Sequence, residues 1–142
     1  GLSVKTEKIE PFTDAFEGVA REWLRAEDLL PLLEIDAPLS LPDIGFSLMR
    51  ELEALKPFGI GNPEPLFMTR GLEVCERKTF SAGARFRFRQ GERVIGAVAF
   101  GAGEDFPAKA GTKVDVAYRL SENEWNGSSS VEMKIVDARR AE

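Results

Sequence analysis

From Leu66 onward the helical period vanishes, and the sequence becomes a series of short apolar runs broken by Gly-rich or polar turns. No other feature constrains the fold as much, because a chain with this texture must bury strands against strands. The runs Leu66–Val74 (extending towards Lys78), Ala84–Phe88, Val94–Phe100, Val114–Leu120 and Val131–Val136 read as five strands. That number of short strands, spaced by turns, predicts a small closed or partly closed antiparallel β-barrel. Between the third and fourth strands, residues 101–111 (GAGEDFPAKAG) predict an irregular loop or short helix.

The preceding part of the chain follows a different period. Phe12, Phe16, Val19 and Trp23 recur as the stripe of an amphipathic helix, with Pro11 suited to its first turn. Leu33, Ile35 and Ala37 alternate, predicting a short strand or extended crossing closed by Pro38. A second helix is expected from a Ser40 cap, with Pro42 and Asp43 in its first turn and Ile44, Leu48, Leu52 and Leu55 on its buried face until Pro57. Residues 56–65 (KPFGIGNPEP) hold three prolines and two glycines and predict a domain boundary. The expected class is therefore α+β: a helical connector over 1–64, then a barrel over 65–142 that corresponds to a five-stranded antiparallel OB-fold.

Two absences narrow the chemistry. The sequence has no histidine, which removes the commonest general base, the usual partner of a nucleophilic Ser or Cys, and the commonest metal ligand. Its one cysteine, Cys75, forms no internal disulfide and no Cys/His zinc site by itself, so a reducing cytosol is the expected compartment. No apolar run reaches the ~18 residues of a membrane span, so no membrane partner is expected. The N-terminus has neither the layout of a signal peptide nor an initiator Met, and the chain is read as part of something longer. With 43% hydrophobic and 30% charged residues, the composition is that of a folded domain.

A net charge of −5 does not advertise a polyanionic partner, but its distribution is uneven. Residues 1–65 carry 6 basic and 13 acidic side chains, residues 66–100 carry 7 and 3, and residues 101–142 carry 6 and 8. In ARFRFRQ, strand alternation puts Phe86 and Phe88 on one face and Arg85, Arg87 and Arg89 on the other. Arg77 and Lys78 lie just before this strand and Arg93 just after it, so a positive groove is a candidate nucleic-acid site. OB-folds bind single strands on the face of their second and third strands, flanked by the first and last hairpin-type loops. The corresponding loops here are TFSAGA and SENEWNGSSS, and Trp125 in the second can stack on a base. The alternative readings are a solvated strand face for the arginines and hairpin packing for Trp125.

Other motifs are weaker. Gly59-Ile60-Gly61 follows a helix and reads as a turn, and Cys75 reads as a small buried hydrophobe. Asn126-Gly127-Ser128 reads as a turn, and the carboxylate pairs Glu122/Glu124 and Glu51/Glu53 read as solvated. No complete active site is legible.

The run Leu52-x-x-Leu55-Lys-Pro-Phe-Gly-Ile-Gly-Asn-Pro-Glu-Pro-Leu-Phe67 resembles the signature of the RecJ family, single-strand-specific DNA exonucleases of the DHH phosphoesterase superfamily. Asn123-Glu124-Trp125-Asn126-Gly127, followed by Val131 to Asp137, is similar to the last two strands of the RecJ OB domain. Ala99-Phe100-Gly101 also fits, and Gly1-Leu2-Ser3-Val4 is similar to residues that follow the Gly-Gly-His motif of the DHH-associated domain. The resemblance implies that 1–64 is the end of the DHH-associated domain plus a helical connector. It implies a 5′-to-3′ exonuclease of repair and recombination whose manganese or magnesium ions sit in a catalytic domain outside this chain. The chain itself would then be inactive, with no cofactor and no catalytic or metal residues of its own, and would grip single-stranded DNA beside that domain. One departure is that the second barrel strand carries Arg85 and Arg87 where the family tends to place His and Lys. The competing expectation is a protein-docking module, supported by the acidic first 65 residues and the Leu29-Leu30-Pro31-Leu32 corner, with single-strand binding protein as a partner.

Overall fold

The computed structural model describes residues 1–125 and 127–141, with the Trp125 side chain outside that description. The chain divides into two compact units, Gly1–Leu33 and Glu34–Glu142. In the first, a 3-10 turn (Thr6–Lys8) leads into α1 (Ile9–Trp23), and a second 3-10 turn spans Ala26–Leu29. The apolar stripe expected from the sequence lies on α1, where Phe12 and Phe16 stack with ring centroids 5.8 Å apart.

The second unit begins before the Pro/Gly-rich segment, so residues 56–65 lie inside it. Its first strand, β1 (Ala37–Pro38), pairs in parallel with the start of β2 (Phe67–Phe80). Asp36 fixes that pairing, because its carboxylate accepts the Leu66 N–H at 2.8 Å while its own N–H donates to the Leu66 carbonyl. The helix expected over Ser40–Leu55 is broken in two. A 3-10 turn (Leu41–Asp43), capped by Ser40 and Asp43, is followed by extended residues Ile44 and Gly45, and α2 covers only Phe46–Glu53. Leu41 and Ile44 both enter the barrel core, and the extended Gly45, a poor helix former, separates the 3-10 turn from α2. The turn reading of Gly59–Gly61 matches the structure. Gly59 and Asn62 exchange backbone hydrogen bonds, and Asn62 Nδ2 donates to the Leu55 and Pro57 carbonyls.

The barrel is built from β2, β3 (Gly83–Gln90), β4 (Arg93–Phe100), β5 (Lys113–Trp125) and β6 (Ser128–Arg140). The order runs β2–β3–β4–β6–β5 and closes by pairing β5 with β2. Four of these seams are antiparallel and β4–β6 is parallel. The parallel seam arises because residues 101–112 carry the chain from the end of β4 to β5, and the β5–β6 hairpin then returns β6 alongside β4. Every strand is longer than its apolar run, since ladder hydrogen bonds continue through the polar ends. Phe86, Phe88, Leu72, Val74, Val114, Val116, Tyr118 and Met133 fill the interior. Leu41 and Ile44 close it beside the β3–β4 hairpin. Ala102, Phe106 and Ala108 close it beside the β4–β5 connection, which is an irregular loop.

Candidate nucleic-acid interface

Strand alternation in β3 holds. Phe86 and Phe88 point inward and stack at 5.5 Å, while Arg85, Arg87 and Arg89 project from the outer face. Register sets their neighbours in rows. Arg89 lies between Glu73 and Val94, Arg87 between Glu76 and Gly96, and Arg85 between Lys78 and Val98, while Glu132 of β6 follows Gly96. Gly96 has no side chain, so the sheet dips there. The depression, of about 210 Å³, is lined by Glu76, Lys78, Arg85, Arg87, Gly96 and Glu132. It adjoins a second hollow of about 410 Å³ that shares Gly96 and Glu132 and runs on to Val94, Ser129 and Ser130. Together they form a groove across the β3–β4 face.

The groove is less positive than the strand sequence suggests, because carboxylates from β2 and β6 meet the cations. Arg89 Nη2 donates to both Glu73 oxygens at 2.8 and 2.9 Å, and this raises the Arg89 pKa. Lys78 pairs with Glu76 at 2.6 Å, and the Lys78 contact, with a smaller field from Arg87, lowers the Glu76 pKa. Arg85 lies 3.8 Å from Glu132. Among the described residues Arg87 makes no ion pair. Sequence reading missed these three carboxylates. The signal for Glu73 and Glu76 was present in the strand before the arginines, whereas Glu132 becomes a neighbour only through the parallel seam. Exposed pairs of this kind are weak, so a phosphate can compete for the cations.

Arg77 and Arg93 do something else. Cys75 is a β-bulge between Val74 and Glu76, and the extra residue shifts the phase of β2 so that Arg77 faces the same way as inward-pointing Phe86. Its guanidinium lies 5.8 Å from the Phe86 ring and donates to the carbonyls of Gly103, Phe106 and Ala108. Arg77 therefore staples the β4–β5 loop onto the barrel. The same bulge leaves Cys75 exposed, against the expectation of burial. Arg93 donates to the Ile44 carbonyl at 3.2 Å, holding the segment that plugs the core. Trp125 ends β5, paired in register with Ser128, and its side chain lies outside the described residues. A further cavity of about 510 Å³ sits between α2 and β5, lined by Met49, Leu52, Phe58 and Lys134 among others. Among the described residues no three Cys, Asp or Glu side chains gather as metal ligands. No helix among them is long and apolar enough to cross a membrane.

Comparison with known proteins agrees with this architecture. Residues 35–137 match the RecJ OB domain family. The single-stranded-DNA-specific exonuclease RecJ of Thermus thermophilus is 36% identical over 136 residues, which is 95% of this chain and 18% of that protein. Its Bacillus subtilis namesake is 25% identical over 142 residues and is likewise covered over 18% of its length. The crystal structure of Thermus thermophilus RecJ in complex with Mn2+ superimposes with a TM-score of 0.78 at 30% identity, covering 100% of this chain and 20% of that one. The corresponding Mg2+ complex gives a TM-score of 0.72.

Proposed function

The chain belongs to the RecJ OB domain family, and on that premise we propose that it serves as the single-strand grip of a RecJ-type 5′-to-3′ exonuclease acting in DNA repair and recombination. The observation that carries this reading is the row of Arg85, Arg87 and Arg89 on the outer face of β3, beside the low floor at Gly96. This is the face on which OB-folds hold single strands.

Phosphates of a single strand would exchange with Glu73, Glu76 and Glu132 for the arginines and Lys78. From Phe100 to Val94 the face extends about 20 Å, enough for a few nucleotides. Trp125, at the tip of the β5–β6 hairpin, stacks on a base at the far end of this path, and Arg93 adds positive potential there. Arg77 is assigned to the fold. Duplex is disfavoured because its bases are already stacked on one another and unavailable to aromatic side chains. The manganese or magnesium of the parent enzyme, and its hydrolytic chemistry, belong to a separate catalytic domain; the part played by this chain is to hold the strand that is cut.

A competition assay tests the reading. A labelled single-stranded oligonucleotide bound to the chain should be displaced by unlabelled single strands at far lower concentration than by duplex of the same length. Equal displacement by duplex, or absence of binding at low salt, would sink it. A second reading, protein docking, rests on Leu29, Leu30 and Leu32, all of them exposed, and would be favoured by the absence of DNA binding.

A further inference from the structure

The outer face of the barrel carries a feature that the arginine row does not explain. Phe80 ends β2 and Phe100 ends β4, and each pairs with Gly83 of β3, so the two rings stand on either side of a residue without a side chain. They meet edge-to-face, centroids 6.1 Å apart and planes at 86°. Phe80 is 38% exposed and Phe100 is 70% exposed. Phenylalanine has no polar group for water to satisfy, so a ring this exposed at the end of a rigid strand is available surface.

The position of the pair matters as much as its exposure. Phe80 is two residues beyond Lys78, Gly83 two before Arg85, and Phe100 two beyond Val98, so the aromatic row lies one step, about 7 Å, from the Lys78–Arg85 row on the same face. The backbone under it is fixed. A Cβ on Gly83 would fall 2.0 Å from the Ala99 carbonyl oxygen, and the Gly101 N–H donates to the Ala82 carbonyl at 2.8 Å, tying the β2–β3 turn to the end of β4. A single strand held through its phosphates by Arg85 and Lys78 would bring its bases to this spot.

We propose that Phe100, buttressed edge-on by Phe80, is a stacking platform for a nucleobase of the single strand whose phosphates lie on the arginine row. The inference rests on the grip proposed above and adds a base-contacting site at the β2–β3 turn end of the groove. Stacking on a plain aromatic ring accepts any base, which suits an enzyme that must pass all sequences.

The test measures binding of the chain to a labelled oligothymidylate and to an abasic sugar-phosphate strand of equal length. Phe100→Ala and Phe100→Leu should each bind the thymidylate about 10-fold more weakly, the size of one lost base–aromatic stack, with an unchanged salt slope. Phe100→Trp should bind it at least as well as the parent, and all four proteins should bind the abasic strand alike. Thermal melting confirms folding, and the Leu variant keeps an apolar contact for Phe80. Thymidylate binding that does not change in Phe100→Ala, or a loss of equal size on the abasic strand, overturns the platform while leaving the arginine grip standing. Failure of the parent chain to bind either strand removes both, and would assign the exposed rings to a protein surface.

Discussion

Arg89 of β3 bridges both carboxylate oxygens of Glu73 on β2 through a single nitrogen, at 2.8 and 2.9 Å. The two residues are register partners on the outer face, so the contact follows from strand pairing. Under the proposed function, this arginine must leave a carboxylate before it meets a phosphate. Glu73→Gln removes the competing charge and keeps the shape. Affinity for single-stranded DNA should rise about two- to five-fold, the worth of an exposed ion pair, as read by fluorescence anisotropy at moderate salt. A weaker complex would mean that Glu73 positions Arg89 instead of restraining it.

Arg77 should separate from the other cations when mutated. Its guanidinium serves the carbonyls of Gly103, Phe106 and Ala108, and its removal strands acceptors above the barrel core. Arg77→Ala is expected to cost about 1–3 kcal/mol of stability in urea titration while leaving single-strand affinity within about two-fold. A large affinity loss without a stability change would return Arg77 to the DNA face.

Thr69 and Tyr118 join their hydroxyls at 2.7 Å inside the barrel, where both side chains are fully buried. Burial pushes the Tyr118 phenol up to about 12; the Thr69 bond offsets part of this, and the Asp43 charge adds to it. The native state therefore keeps a proton that the unfolded chain releases near pH 10. Stability from this group is complete below pH 10 and is lost as pH rises towards 12, by up to roughly 3 kcal/mol. Because the sequence has one tyrosine, phenolate absorbance reads it directly, with a folded midpoint near 12 and an unfolded one near 10. A folded midpoint near 10 would contradict the buried geometry.

Much of the barrel is legible in the sequence because its signals are local. The alternation Arg85-Phe86-Arg87-Phe88-Arg89 depends on nothing beyond one strand, and the structure keeps it. What required long-range knowledge did not show. The helix expected from Ser40 is interrupted by extended Ile44 and Gly45, where Leu41 and Ile44 sit in a barrel core assembled from residues far along the chain. The inward turn of Arg77 depends on a one-residue bulge at Cys75, which no periodicity announces. The parallel seam that sets Glu132 beside Arg85 is a matter of topology. The aromatic pair is invisible for the same reason: Phe80 and Phe100 lie twenty residues apart and meet only across Gly83.

The central claim is that the outer face of β3 holds the phosphates of a single strand, and its salt dependence tests this most directly. Anisotropy of a labelled single-stranded oligonucleotide should be recorded across a salt series for the parent chain and for the Arg85→Gln/Arg87→Gln/Arg89→Gln variant. The outward position of the three side chains should leave the barrel folded, as thermal melting would verify. The account predicts weaker binding and a slope of log affinity against log salt that is shallower by up to ~0.7 per lost contact, about 2 for all three. An unchanged affinity and slope in the folded variant would contradict it.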